Sequence, residues 1–109
     1  MQLTRDNLQL LPLLLDEIHD RYFDLEKVEY DKSRSQWKVV FGDSKRGPYE
    51  RALVITGVED YYLRDTERIR FYSINELQVN LQTCTLTLAC NVPIIIQLRV
   101  RSDFAVVLI

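Results

Sequence analysis

The chain reads as an α+β fold, an N-terminal helix packed on an antiparallel sheet of about seven strands, and three observations predict it. Leu8, Leu11, Leu15, Ile18 and Tyr22 step by three and four, which places them on one helical stripe. From Phe23 onward the period becomes two, the spacing at which a strand sends alternate side chains to opposite faces. The strands follow one another through polar turns with no further helical pattern, so sequential neighbours pair antiparallel and the helix is left to cover one sheet face.

Taken in order, Thr4 is a suitable helix N-cap with Asp6 in the first turn to complement the dipole. Pro12 would break the hydrogen-bond ladder of a helix running through it. Either the helix bends there, or an irregular lead-in ends near Leu11 and the helix spans Pro12 to Tyr22. The second reading is preferred, because proline at the first helical position loses no bond. "LEKVEYD" then alternates with Glu26, Val28 and Tyr30 on one face. "QWKVVFG" follows with Trp37, Val39 and Phe41 on one face and Lys38 and Val40 on the other. The two runs read as a hairpin across "DKSRS". "GDSKRGPYE" is the longest loop signal. Beyond it come "RALVITGV", the segment "EDYYLRDTER", and strands in "IRFYS", "NELQVNLQ", "TCTLTLAC", "PIIIQLRV" and "FAVVLI". No repeat or linker divides residues 1–109, which read as a single domain.

Composition narrows the functional classes. Of the 109 residues 47% are hydrophobic and 28% charged, a balance that supports a packed core. Fourteen Lys and Arg against sixteen Asp and Glu give a net charge of −2, without the basic excess that a phosphate backbone attracts. "LQLLPLLL" has neither the basic lead nor the cleavage site of a signal peptide, and no apolar run reaches the roughly 18 residues of a membrane span. The expected protein is soluble and cytoplasmic, with no membrane partner.

Chemical motifs are sparse. In "TCTLTLAC" a continuous strand puts Cys84, Leu86, Leu88 and Cys90 on one face, so both thiols are expected in the core. Six residues of strand separate them by about 20 Å, beyond the roughly 7 Å that a disulfide allows between Cα atoms. Their spacing also differs from a zinc knuckle, and His19 is the single histidine. Gly42 and Gly47 have the spacing of a phosphate loop, but Pro48 and Tyr49 stand where Lys and Ser or Thr are required. No cofactor or metal is expected.

Three features remain. At the helix end, "DEIHD" places Asp16 and Asp20 one turn apart with His19 beside them; a carboxylate can orient an imidazole for acid–base work, and the same pattern also suits partner binding or a plain helix surface. In residues 58–72, Tyr61, Tyr62, Arg64 and Arg68 combine the residue types that anchor protein interfaces. Glu59, Asp60, Asp65 and Glu67 accompany them and favour a protein partner over nucleic acid. Lastly, "FAVVLI" is apolar on both faces. It belongs either at the centre of the sheet, under the helix or a partner, or at an edge through which a second copy could pair.

The stretch "IHDRYFDLEKVEYD", with Gly57-Val58 closing a middle strand, resembles small bacterial α+β domains of uncharacterised or toxin-immunity type. The residues that carry the resemblance are His19, Asp20, Val28, Tyr30, Asp31, Gly57 and Val58. It implies a non-enzymatic binding module.

Together these readings describe a small protein-binding or regulatory module that acts through an aromatic and arginine surface on a protein partner or a second copy of itself. The alternative is a small-ligand or enzymatic site in a cup between sheet and helix, with His19 at its mouth and Asp16 or Asp20 beside it. The alternative requires a pocket of about 300 Å³ or more that holds His19. The binding module requires Tyr61 or Tyr62 to face solvent.

Overall fold

A computed structural model describes residues 1–109. The chain opens with a short strand, β1 (Gln2–Thr4), and a 3₁₀ segment over Arg5–Leu10. Thr4 caps that segment: its hydroxyl accepts from the Asp6 amide at 3.3 Å, and its own amide donates to Asn7 Oδ1 at 2.6 Å. Helix α1 (Leu11–Ile18) follows, with Pro12 in its first turn, where it costs no hydrogen bond.

The helix is shorter than the sequence suggests. It stops at Ile18 instead of Tyr22, because the sheet captures the next residues. Asp20 turns into the left-handed region (φ 63°) and its amide donates to Ile74 O at 2.8 Å. Tyr22 and Phe23 then pair with Ser73 and Tyr72. Leu14 and Ile18 are buried, Leu11 and Leu15 partly so. Tyr22, expected on the helical stripe, is a strand residue.

The remaining strands are β2 (Tyr22–Asp24), β3 (Glu29–Asp31), β4 (Gln36–Phe41), β5 (Arg51–Asp65), β6 (Phe71–Asn80), β7 (Thr85–Cys90) and β8 (Ile94–Leu108). All pairings are antiparallel, in the order β2-β6-β7-β8-β5-β4-β3, with β1 added alongside β8. Tyr22 and Gly42 exchange backbone hydrogen bonds of 2.8 and 3.0 Å, which brings β2 against the end of β4. The sheet therefore curls into a half-barrel, and the small helix packs with its interior side chains.

Several runs that read as separate strands are continuous. Residues 51–65 form one strand, as do residues 71–80 and 94–108. "LEKVEYD" is instead divided: Leu25–Lys27 form a 3₁₀ turn capped by the Asp24 carboxylate, and only Glu29–Asp31 are strand. The apolar C-terminal run lies at the centre of the sheet. Its outward residues Ala105 and Val107 sit between β1 and β5. This removes the route to a dimer through that strand's edge.

One irregularity shapes the two longest strands. Thr56 pairs with Ala105 and Val58 with Val100, so Gly57 alone stands opposite Arg101–Phe104. Gly57 adopts φ 78°, and a Cβ there would lie 2.9 Å from Phe104 Cα. Only glycine fits both requirements.

The interior is apolar: Trp37, Val39 and Phe41 of β4, Ile94, Ile96, Leu98 and Val100 of β8, and Leu86 and Leu88 of β7 are buried, as their alternation requires. Cys84 departs from it, whereas Cys90 packs against the core. Cys84 lies outside β7 in an exposed turn, at φ 55°. Asn80 Oδ1 accepts the amides of Gln82 and Thr83 at 3.0 and 3.2 Å, and this local turn, not a strand, sets the position of Cys84. Cys90 is half-buried, and burial pushes its thiol up to about 12. No helix is long and apolar enough to cross a membrane.

Two outcomes follow from these positions. Gly57→Ala should destabilise the fold by about 1–3 kcal/mol, read from urea unfolding, because the left-handed backbone and the Phe104 clash add. In the native state at pH 8 one thiol should react rapidly with a disulfide reagent and the second only on unfolding; Cys84→Ser should abolish the rapid phase.

Candidate protein-binding surface

The segment 58–72 divides into parts with different surroundings. Tyr61 points inward: its ring meets Trp37 edge-on at 5.9 Å and Tyr30 at 6.0 Å. Burial raises its phenol above the ordinary value. Trp37 Nε1 is the buried side-chain polar atom that completes no hydrogen bond. Tyr62, next in the strand, must face the other way, and it is 54% exposed. Arg64 follows on the same outward face, with no carboxylate in ion-pair range. Arg68 does not join them. It lies in the turn beyond the strand at φ 54°, where its amide donates to Asp65 Oδ1 at 3.0 Å.

The neighbours of Tyr62 come from other strands, and register selects them. Across β6, β7, β8 and β5 the outward residues form level rows. Gln78, Thr87, Gln97 and Tyr62 are aligned in one. Asn80, Thr85, Arg99 and Asp60 lie on one side of it, and Glu76, Ala89, Ile95 and Arg64 on the other. The inward partners in the same strands, Leu77, Leu88 and Ile96, are buried in the core. No helix or loop covers the outward side. Two shallow grooves mark it, one of about 240 Å³ between Tyr62, Gln97 and Arg99, the other of about 300 Å³ beside Arg64 and Ile95.

Sequence alternation identifies Thr85, Thr87, Ile95, Gln97 and Arg99 as outward but cannot say that they flank Tyr62. Two acidic and two basic side chains, Asp60 and Glu76 with Arg64 and Arg99, balance the face. Arg99 is also paired with Glu59 at 3.5 Å.

The helix-end residues are arranged differently from the expected acid–base set. Because α1 ends at Ile18, Asp16 and Asp20 do not share a helical face. The His19 ring is bound through Nδ1 to Asn75 O at 2.8 Å, and its Nε2 lies 3.4 Å from Asp20. Its side chain is 52% exposed and lines none of the grooves. The largest groove, about 390 Å³, is bordered instead by Arg21, Gly42, Asp43, Glu50 and Arg51. Its two arginines are paired, Arg21 with Asp43 and Arg51 with Glu17 at 2.7 Å. The hydrogen bond from Arg51 holds Glu17 below the ordinary carboxylate value.

A polar network missed by sequence reasoning sits where β2 meets β6. Asp24, only 2% exposed, receives two hydrogen bonds of 3.0 Å from Arg70, whose guanidinium also pairs with Glu26 and lies 4.9 Å over the Phe71 ring. Nearby, the Tyr72 hydroxyl donates to Asp65 and accepts the Ile69 amide. Asp24 and Arg70 are 46 residues apart, so no local spacing announces the pair.

No protein-family model, curated protein or solved structure matches this chain.

The Arg70 hydrogen bonds lower the Asp24 pKa more than burial raises it. A depressed carboxylate stabilises the fold above its unfolded value, about 3.9, and that contribution disappears as pH falls through the folded value. Asp24→Asn should therefore cost about 2–3 kcal/mol at pH 7. The gap between wild-type and variant urea midpoints should narrow from pH 5 downward.

Proposed function

We propose that this chain is a small non-enzymatic module that binds another protein, or regulates it by binding, through the outer face of β6-β7-β8-β5. The observation that carries this reading is Tyr62, projecting 54% exposed from a sheet face that nothing covers. Tyrosine offers a large, stiff contact area with a hydroxyl at its tip, and interface energy concentrates on such residues. Arg64 beside it supplies directional donors, while Gln78, Thr87 and Gln97 supply both donors and acceptors around them. The equal numbers of acidic and basic groups on the face suit a protein surface better than a phosphate backbone.

Tyr61, which faces inward, supports the site from beneath by packing on Trp37. Arg68 drops out of the contact set. The resemblance to small bacterial immunity-like domains points to the same class of function. The free thiols Cys84 and Cys90 suit the reducing cytoplasm.

The experiment compares wild type and Tyr62→Ala as immobilised baits in a cytosolic lysate of the source cells, with retained proteins then purified and titrated. Tyr62→Ala should weaken the partner about tenfold or more, since truncating an anchor costs above 1 kcal/mol. It should leave the unfolding midpoint unchanged. Equal affinity of the two baits for every retained protein would defeat the proposal.

A further inference from the structure

The open face has a property that its composition alone does not reveal: it is complementary to itself. The row nearest the β5 tip reads Glu76, Ala89, Ile95, Arg64 across β6, β7, β8 and β5. Reversed, an acidic end meets a basic end and a small residue meets a large one. The middle row reversed sets Gln78 against Tyr62 and Thr87 against Gln97. This reversal is what a two-fold axis imposes when it runs along the strands between β7 and β8. The axis keeps each row at its level and exchanges the two sides of the sheet.

We propose that the occupant of this face is a second copy of the chain, stacked sheet to sheet about such an axis, with Glu76 of each protomer against Arg64 of the other and Ile95 seated over Ala89. This rests on the reading of the face as a protein-binding surface and names its partner. Facing sheets pack about 10 Å apart with strands inclined by about 30°, so the axis tilts about 15° from the strands; this offsets the outermost pairs by about 4 Å, within reach of the Glu and Arg side chains, and the central pairs by about 1 Å. Within one chain Glu76 and Arg64 stand three strands apart, roughly 14 Å, so the two charges are not each other's intramolecular partners. Arg64 has no ion-pair partner in the monomer, and the Glu76 carboxylate accepts only from Gln78 at 2.7 Å.

The size of the face sets the strength. Four strands by six residues cover roughly 19 by 20 Å, about 400 Å² before side-chain relief is counted. Standard stable interfaces bury about 800 Å² per partner, so a reversible dimer is expected and not an obligate one.

Sedimentation velocity over a wide concentration series, for wild type, Glu76→Arg, Arg64→Glu and the double exchange, tests the arrangement. Wild type should show a concentration-dependent dimer. Each single reversal should raise its dissociation constant about tenfold or more, because like charges then face each other twice across the axis. The double exchange should restore it to within about threefold of wild type, an outcome that a purely structural role for either residue would not give. A monomer at every concentration overturns the self-pairing, as does a dimer indifferent to the single reversals or one that the double exchange fails to restore. The bait comparison with Tyr62→Ala separates this from the broader reading. If self-pairing fails and Tyr62 still governs retention of a different protein, the binding surface stands with another occupant. If both fail, the surface itself is rejected.

Discussion

At Gly57 the backbone of β5 passes so close to β8 that a single methyl group would strike Phe104 Cα at 2.9 Å, and much of the architecture depends on that contact. Opposite this one residue β8 places Arg101–Phe104, so the two longest strands change register there and bend. Below the bend, β5 lies between β4 and β8, and β8 between β5 and β1. Above it, β8 lies between β5 and β7, which in turn pairs with β6. The same two strands thus build the wall of the half-barrel at one end and an open sheet at the other. Backbone bonds from Val58 N to Ser35 O and from Val100 N to Cys84 O, each 2.9 Å, tie the bend to the turns on either side.

Closure at the far side has a different basis. β2 is three residues long and could not hold the sheet's end by its ladder alone. It bridges β6 and the end of β4 through Tyr22, and Asp24 at its end anchors Arg70 with two hydrogen bonds. Arg70 in turn lies against Phe71 and keeps half its surface in water, so the pair avoids the full cost of burying both charges. The carboxylate also caps the following 3₁₀ turn through the Glu26 amide at 3.0 Å. A single side chain therefore links the strand, the turn after it and the loop that precedes β6.

The proposed binding face and the core are two sides of the same strands. Leu77, Leu88 and Ile96 line the interior, while Gln78, Thr87 and Gln97, one residue further along or back, form the middle of the open face. A one-residue slip would exchange the two sets, so the burial that specifies the register also specifies the surface. Tyr61 and Tyr62 show this within two residues: one packs on Trp37, the other projects into solvent.

Alternation and helical spacing sufficed, from the sequence alone, for the α+β class, for a helix starting at Pro12's turn, and for the inward residues of β4, β7 and β8, because side-chain periodicity is a local consequence of backbone geometry. Residue type marked Tyr61, Tyr62, Arg64 and Arg68 together, and the fold separates them: Tyr61 packs on Trp37, Tyr62 is exposed, and Arg68 lies in the turn beyond the strand. Local pattern failed where a distant segment or a side-chain turn prevailed. Ile74 and Ser73 drew residues 20–22 out of the helix, and Asn80 folded Cys84 into a turn. Tertiary structure alone decided that the apolar C-terminal strand is central, that Asp24 meets Arg70, and that Glu76, Gln97 and Tyr62 share one face. These depend on which strands become neighbours and in what register, and pairing between segments tens of residues apart leaves no trace in the spacing of either one.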